Sequence, residues 1–345
     1  MEKPSYQSNQ LVTNELEQNT VEPNSEFEQN PAKTASDYLM ETGLNNPETV
    51  EDLIQNGTYK DFKVHLVRLN ALFRNISPEQ HEIDGGAVYV GDNLLPISTE
   101  HKEEVVEMAF DALKDLSPKD RGVLTYNILG AVHLFGDGNG RSMRVWHHIL
   151  SGERIDEEAI KVLTEHDNDT QNGTATTGRK EIQSYLNANT YATSGFANFV
   201  AFDSELERLG ANNIRSALPW VEPQFDDETI KSLSVKDIDR IKSICANDTG
   251  SFICPFNIMT IHMLSKEDET FKIPPAEIEN GTYMYDNEQN GAITLNHEQA
   301  KRFIEINDQL KMASFGAMID IFKNPTAHTY ENGTPLKNGF YAQNK

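Results

Sequence analysis

A chain of 345 residues with 54 acidic and 30 basic side chains carries a formal charge of −24, a field that repels nucleic acid and anionic lipid at long range. Hydrophobic residues make up 37%, enough for a core, and the length suits one large or two modest domains. The two cysteines, Cys245 and Cys254, cannot build a disulfide framework or a zinc cluster, and as reduced, buried thiols they suit a cytoplasmic compartment.

The opening residues lack a basic start followed by an apolar run, so no secretory signal is expected, and no stretch has the length and apolarity of a membrane span. Up to about residue 33 the chain is rich in Asn, Gln, Glu and Ser and too poor in apolar side chains to pack, which predicts disorder. The pattern changes from Ser36. Residues 61–74 place Phe62, Leu66, Leu69, Leu72 and Phe73 at helical spacing. Residues 85–92, GGAVYVGD, alternate between glycines and predict a strand or small hairpin, the one β feature expected in this half.

A second helix is expected over 102–113, with Val105, Val106, Met108, Ala109 and Leu113 as its apolar set. Ser117 then supplies an N-cap and Pro118 a first helical residue, with Asp120 in the first turn. That helix carries Val123, Leu124, Ile128, Leu129 and Val132 and delivers His133 to its end, where the glycines at 136, 138 and 140 must stop it. Helical spacing resumes over 141–150, with Met143, Trp146, Ile149 and Leu150 inward and Arg141, Arg144 and His148 on another stripe.

Further on, residues 166–173 are expected to form an exposed polar loop and 180–186 a helix. Residues 219–223, PWVEP, look like a linker. Ser234 can cap a helix that turns Val235, Ile238, Ile241 and Ile244 inward. Residues 297–323 predict a long amphipathic helix carrying Ala300, Phe303, Ile304, Leu310, Phe315, Met318, Ile319 and Phe322, and the chain after Asn324 is expected to be loose.

The chemistry concentrates in HLFGDGNGRSMR at 133–144. His133 ends a helix beside a glycine-rich turn, which leaves its imidazole free to act as a base near neutral pH. Asp137 is a hard oxygen ligand suited to Mg²⁺ held jointly with phosphate oxygens. Gly138 and Gly140 let backbone N–H groups turn inward as an anion nest that opens the next helix, so the helix dipole adds to it. Arg141 and Arg144, three residues apart, bring two guanidinium groups for further phosphate oxygens. Together these residues describe a phosphoanhydride site, and ATP is the expected co-substrate.

These twelve residues resemble the signature of Fic-domain proteins: His, any, Phe, any, Asp or Glu, Gly-Asn-Gly-Arg, two variable positions, Arg. Every fixed position is met by His133, Phe135, Asp137, Gly138, Asn139, Gly140, Arg141 and Arg144. The family commonly has Pro after the His, where Leu134 stands here, at a position that is not catalytic. Upstream, Val88, Tyr89 and Val90, followed by Leu94, Leu95 and Pro96, look like the family's flap (about 86–96), a hairpin that docks the target by strand addition. Downstream, residues 179–185 look like its closing helix, so the resemblance covers about residues 60–190.

The resemblance implies a mostly α fold: a Fic-type helical bundle with a small β-hairpin flap, plus a C-terminal helical accessory domain. The expected division is a disordered acidic segment at 1–35, a Fic-like catalytic domain at 36–215 and a mainly helical accessory domain at 216–345 that selects the target or supports oligomerisation. The implied activity is protein adenylyltransfer: His133 takes the proton from a target Ser, Thr or Tyr hydroxyl that attacks the α-phosphorus of ATP. Asp137 would hold Mg²⁺, Gly138, Asn139 and Gly140 would cradle the α- and β-phosphates, Arg141 would meet the leaving pyrophosphate and Arg144 the γ-phosphate, with Phe135 in the core.

Two alternatives stand beside it. The motif could move another nucleotide or phosphate-containing group, or the chain could be a catalytically inert binding module. The Asn- and Lys-rich composition suits an AT-rich bacterium, with the protein resident in its cytoplasm or delivered to a host cell as an effector or toxin. The expected partners are therefore ATP and a target protein with an exposed hydroxyl, without nucleic acid or membrane insertion.

Other signals carry less. His147 and His148 are consecutive, so they point apart on a helix and do not make a metal pair; the surface or the back of the site is their expected place. Residues 167–173 approach a calcium loop, but the glycine is one place late and no acid closes it. No Gly-x-Ser-x-Gly elbow supports a serine hydrolase. Many Fic proteins carry an inhibitory Ser/Thr-xxx-Glu-Gly/Asn helix whose Glu pairs with the second motif arginine. Residues 13–18 and 294–299 approach it but end in Gln18 and Gln299, so the expectation is an enzyme uninhibited in cis or restrained by another chain.

Overall fold

The structure, a computed structural model, describes residues 31–78, 81–83, 88–90, 93–95, 97–153, 155–164, 222–245, 254–271, 277–279, 282–284, 292–329 and 332–340. The expectations for residues 13–18, 166–173, 179–186 and the first 30 residues lie outside these. The described part is mostly helical, with eleven α-helices and three two-stranded β pairs, one of them parallel. No helix among the described residues is long and apolar enough to cross a membrane.

The first half is a helical bundle: α1 (Pro31–Thr42), α2 (Pro47–Asn56), α3 (Tyr59–Arg74), α4 (Thr99–Leu113), α5 (Pro118–Val132), α6 (Asn139–Leu150) and α7 (Glu157–Thr164). Between α3 and α4 lies an antiparallel hairpin, β1 (Val88–Val90) against β2 (Asn93–Leu95), with Tyr89 opposite Leu94. The helix starts follow local chemistry. Thr58 and Asp61 form a reciprocal capping box on α3, and Ser117 accepts from the Asp120 N–H with Pro118 at the first position of α5.

α5 and α6 pack closely because Gly122 removes a side chain at their crossing: a Cβ there would meet the His147 carbonyl oxygen at 2.7 Å and Ser151 Oγ at 2.0 Å. Beneath them the core is aromatic. Phe62 stacks on Phe110 at 5.1 Å and meets the edge of Trp146 at 4.7 Å, all three fully buried.

The second half begins with β3 (Glu222–Phe225), which pairs in parallel with β6 (Ala292–Leu295), Pro223 opposite Ile293. Between them come α8 (Asp227–Ser232), α9 (Val235–Cys245), α10 (Cys254–Glu267) and an antiparallel pair, β4 (Glu277–Glu279) with β5 (Thr282–Met284). α11 (His297–Lys323) follows, opened by a capping box of Asn296 and Gln299, and a 3₁₀ turn spans Leu336–Phe340.

Four expectations are corrected. Helix α1 starts at Pro31 and buries Ala32 and Ala35, so order begins inside the segment expected to be disordered to residue 35. The linker expected at 219–223 gives way to a strand at Glu222, where Pro223 is tolerated because the sheet has two strands among the described residues. Val235 is 75% exposed: as the first residue of α9 it precedes the turn that Ile241 buries. The chain after Asn324 is anchored, with Phe340 buried against Phe322 and Lys337 on Asp120.

The boundary expected at 216 lies outside the described residues. Phe315, Met318, Ile319, Ile321 and Phe322 of α11 belong to the same buried cluster as α3 to α6, and α11 packs on α4 and α5. Its N-terminal half lies instead along α10. One helix thus serves both halves of the chain.

Candidate functional site

The motif occupies the junction of α5 and α6. α5 stops because His133 adopts the left-handed conformation, φ 51° and ψ 66°, with its N–H on the Leu129 carbonyl. A non-glycine residue there is strained, and its ring gives something back: Nδ1 lies 3.2 Å from the Gly130 carbonyl oxygen. A carbonyl only accepts, so Nδ1 carries the proton and Nε2 presents a lone pair. No described residue hydrogen-bonds to Nε2. Burial pulls the imidazole pKa below 6.5, the Gly130 bond opposes this, and the positive charge of Lys102 adds to the lowering. At neutral pH the ring is an unprotonated base. Lys102 itself, buried in α4, donates from Nζ to the His133 carbonyl at 3.0 Å.

Residues 134–138 turn back to open α6. Leu134 and Phe135 are buried, Phe135 as the resemblance implies, and Gly136 and Asp137 face solvent. The Phe135 N–H donates to Asn139 Oδ1 at 3.0 Å, while Asn139 Nδ2 donates back to the Phe135 carbonyl. Gly138, φ 78°, is required twice over. Its backbone is left-handed, and a Cβ would meet Asn70 Nδ2 at 2.8 Å and the Arg74 stem at 3.2 Å. Gly140 is in the first turn of α6.

The far wall of the turn is the last turn of α3. Asn70, fully buried, donates from Nδ2 to the Asp137 carbonyl at 3.1 Å and to Ser142 Oγ at 2.9 Å. Its Oδ1 receives His81 Nε2 at 2.7 Å, and the His81 ring stacks on Phe135 at 5.1 Å. Arg141 donates to the Phe73 carbonyl at 2.6 Å and to Asp137 Oδ2 at 3.1 Å. The other Asp137 oxygen takes the Gly138 N–H, yet the carboxylate stays 67% exposed.

Arg144, expected to share a face with Arg141 for phosphate oxygens, is buried in the bundle. It is 4% exposed and donates from Nε to the Leu163 carbonyl at 2.7 Å, because α7 packs across α6 on that side. His147 is also buried rather than superficial, edge-on to Tyr126 at 5.8 Å, and burial pushes its pKa down to about 4. His148 pairs with Glu153 at 3.1 Å. Glu298, at the centre of the 294–299 approach to an inhibitory helix, is exposed in the first turn of α11, and its ion pair is with the adjacent His297.

A divalent cation finds one suitable donor here. Among the described residues no three His, Cys, Asp or Glu side chains cluster as a metal cage. The exposed oxygens of Asp137 fit Mg²⁺, an ion that keeps waters and takes its remaining ligands from substrate phosphates.

Sequence reasoning brought together His133, Asp137, Gly138, Asn139, Gly140 and Arg141. It missed Asn70, His81, Arg74 and Lys102. Two of these left a signal. Asn70 sits four residues after Leu66 on the buried face of α3, and Lys102 stands at the helical spacing of Val105, Val106 and Ala109, so each interrupts an apolar stripe with a polar group. The hairpin carries Val88, Tyr89 and Val90 in β1, and the β1–β2 sheet has no third strand among the described residues. α9 packs on β2.

Comparison with family models, with curated proteins and with solved structures finds no match in any of the three.

Proposed function

We propose that the chain is a Fic-type protein adenylyltransferase that moves AMP from ATP to a Ser, Thr or Tyr hydroxyl of a target protein. The observation that carries this reading is His133: a half-buried, unprotonated imidazole whose lone-pair nitrogen is left open beside a glycine turn, an exposed carboxylate and a helix N-terminus. In this reading Nε2 of His133 accepts the hydroxyl proton as the hydroxyl oxygen bonds to the α-phosphorus. The bond from that phosphorus to the bridging oxygen breaks, and pyrophosphate leaves with the electron pair.

The backbone N–H groups of Asn139 and Gly140 would hold phosphate oxygens at the start of α6, where the dipole favours them, and that of Gly138 would join them on leaving the Asp137 carboxylate. Asn139 contributes there through its backbone, since its amide holds Phe135. Asp137 is the residue to hold Mg²⁺, which when bound neutralises charge on the phosphates. Arg141 is fixed beside the turn by Phe73 and Asp137 and would meet the leaving group. Arg144 would meet a γ-phosphate through its terminal amino groups, with Nε held on the Leu163 carbonyl.

The helical bundle would then be the Fic-type catalytic body. β1, with Val88, Tyr89 and Val90, would be the flap along which a target segment lies, and the elements from β3 onward an accessory region.

A second nucleotide remains open on a specific ground. Every group identified at the turn addresses phosphate or proton, and none addresses a base. The test is incubation of the purified protein and of lysate with α-labelled ATP, GTP or UTP, or with labelled CDP-choline, comparing wild type with His133→Ala. Label from ATP that depends on His133 supports adenylyltransfer. Label from another donor alone reassigns the donor, and no His133-dependent label from any donor sinks the transferase reading.

A further inference from the structure

We infer that Lys102 is a positioning residue for His133, holding the backbone of the base from across the bundle so that its lone-pair nitrogen keeps one direction. The inference rests on the reading of His133 as the general base.

The first ground is cost. Lys102 is 2% exposed and lies in the stripe of α4 formed by Val105, Val106 and Ala109, where a leucine or methionine would pack without penalty. Burying an ammonium is costly unless its donors are satisfied, so a lysine in a core is explained by what it bonds. Nζ donates at 3.0 Å to the carbonyl of His133.

The second ground is what that carbonyl belongs to. His133 is one of two non-glycine residues with positive φ among the described residues, and the residue at which α5 ends. A left-handed non-glycine residue persists only where its surroundings over-determine it. Three bonds do so here: the N–H on Leu129, ring Nδ1 on Gly130, and the carbonyl under Lys102. The first two come from α5 itself. Lys102 is the contribution from another helix, so it ties the base to the body of the bundle. A cation at the C-terminus of α5 also opposes the negative end of the helix dipole.

The charges around the ring fit this role. From the turn into α6, Asp137 and Arg141 pair with each other at 3.1 Å. From α3, the Arg74 stem lies over Gly138. Asp308 of α11 is engaged with Ser98 and Arg240, one turn before Lys102 along α4. Among these groups it is Lys102 whose field bears on the His133 ring, disfavouring its protonation.

The experiment uses the full chain with Lys102→Met, which keeps length and removes donor and charge, and Lys102→Gln, which keeps a donor and removes the charge. NMR titration of the His133 imidazole requires no reaction, so it decides this inference even if nucleotide transfer is never observed. The expected result is a His133 pKa that moves up toward 6.5 in both variants, with loss of the Nδ1–H tautomer signature in Lys102→Met and its partial retention in Lys102→Gln.

In the labelling assay, where wild type shows it, kcat should fall about tenfold or more in Lys102→Met with KM for ATP nearly unchanged, and Lys102→Gln should recover part of it. An unchanged His133 titration and tautomer in folded variants would overturn the inference. So would equal losses in kcat and in ATP affinity with no change at the ring, the pattern of general loosening. If Lys102→Met does not fold, the Lys102→Gln titration decides alone.

Discussion

The side-chain amide of Asn139 closes on both backbone groups of Phe135, accepting from its N–H at 3.0 Å and donating to its carbonyl. This makes the turn a ring, built before any ligand arrives. Asn139→Ala leaves the N–H and the carbonyl of a buried residue without those partners, each at a cost of about 1–3 kcal/mol. The expected loss in urea denaturation is roughly 2–4 kcal/mol. Asn139→Asp keeps an acceptor for the N–H and should lose less. Equal stability of Asn139→Ala and wild type would mean that the turn does not depend on this ring.

The motif was legible because its chemistry is contiguous: His133, Asp137 and the glycines are fixed within a few residues, and Ser117 with Pro118 marked the helix that delivers them. What supports the motif was not legible, since Asn70 and Lys102 reach it from 67 and 31 residues away. A polar residue in an apolar stripe announces a buried hydrogen bond and leaves the partner unnamed.

The burial of Arg144 was not legible for a related reason. Helical spacing separates faces, but α6 is covered on several sides, by α5, α7 and α3, so no face of its middle is left to solvent. The loose tail failed because a lone Phe340 in a polar stretch has no periodicity to mark it.

His147 makes stability depend on acidity. Its folded pKa of about 4 lies below the ordinary 6.5, so the unfolded chain binds the proton more readily. The sign follows: stability is full above about pH 6.5 and is lost as pH falls from there toward 4. Each pH unit of that gap is worth about 1.4 kcal/mol, so the whole contribution is roughly 3 kcal/mol. Burial lowers His65 and His133 as well, and they act in the same direction. The measurement is therefore a difference. Urea stability of wild type should fall more steeply between pH 7 and 5 than that of His147→Phe, and parallel curves would refute the assignment.

Asp308 joins the two halves of the chain. Only 4% exposed, it accepts from the Ser98 N–H at 3.0 Å, from the Ser98 hydroxyl and from Arg240. Ser98 precedes α4 and stands three residues after β2, and Arg240 belongs to α9. Asp308→Ala strips these buried donors of their acceptor and should cost on the order of 3–5 kcal/mol. Asp308→Asn, which keeps an oxygen, should cost less. Hydrogen exchange at Ser98 should quicken in Asp308→Ala before global unfolding, and unchanged protection there would show that Ser98 does not depend on α11.

Phe340 tests whether the 3₁₀ turn at Leu336–Phe340 belongs to the helical bundle. It is 2% exposed, meets Phe322 of α11 edge-on at 5.2 Å, and lies in the same cluster as Phe62 and Trp146. Three residues before it, Lys337 reaches Asp120 in the first turn of α5 at 3.0 Å. Phe340→Ala removes a buried ring and leaves a cavity, a loss of about 3 kcal/mol or more in denaturant midpoint experiments. Lys337→Met should cost much less, because Asp120 retains Ser117 as a donor. Since α5 begins at this contact and ends at His133, Phe340→Ala should also lower the protection of amides in the first turn of α5. A variant that loses stability while those amides stay fully protected would place Phe340 in a unit that unfolds apart from the site.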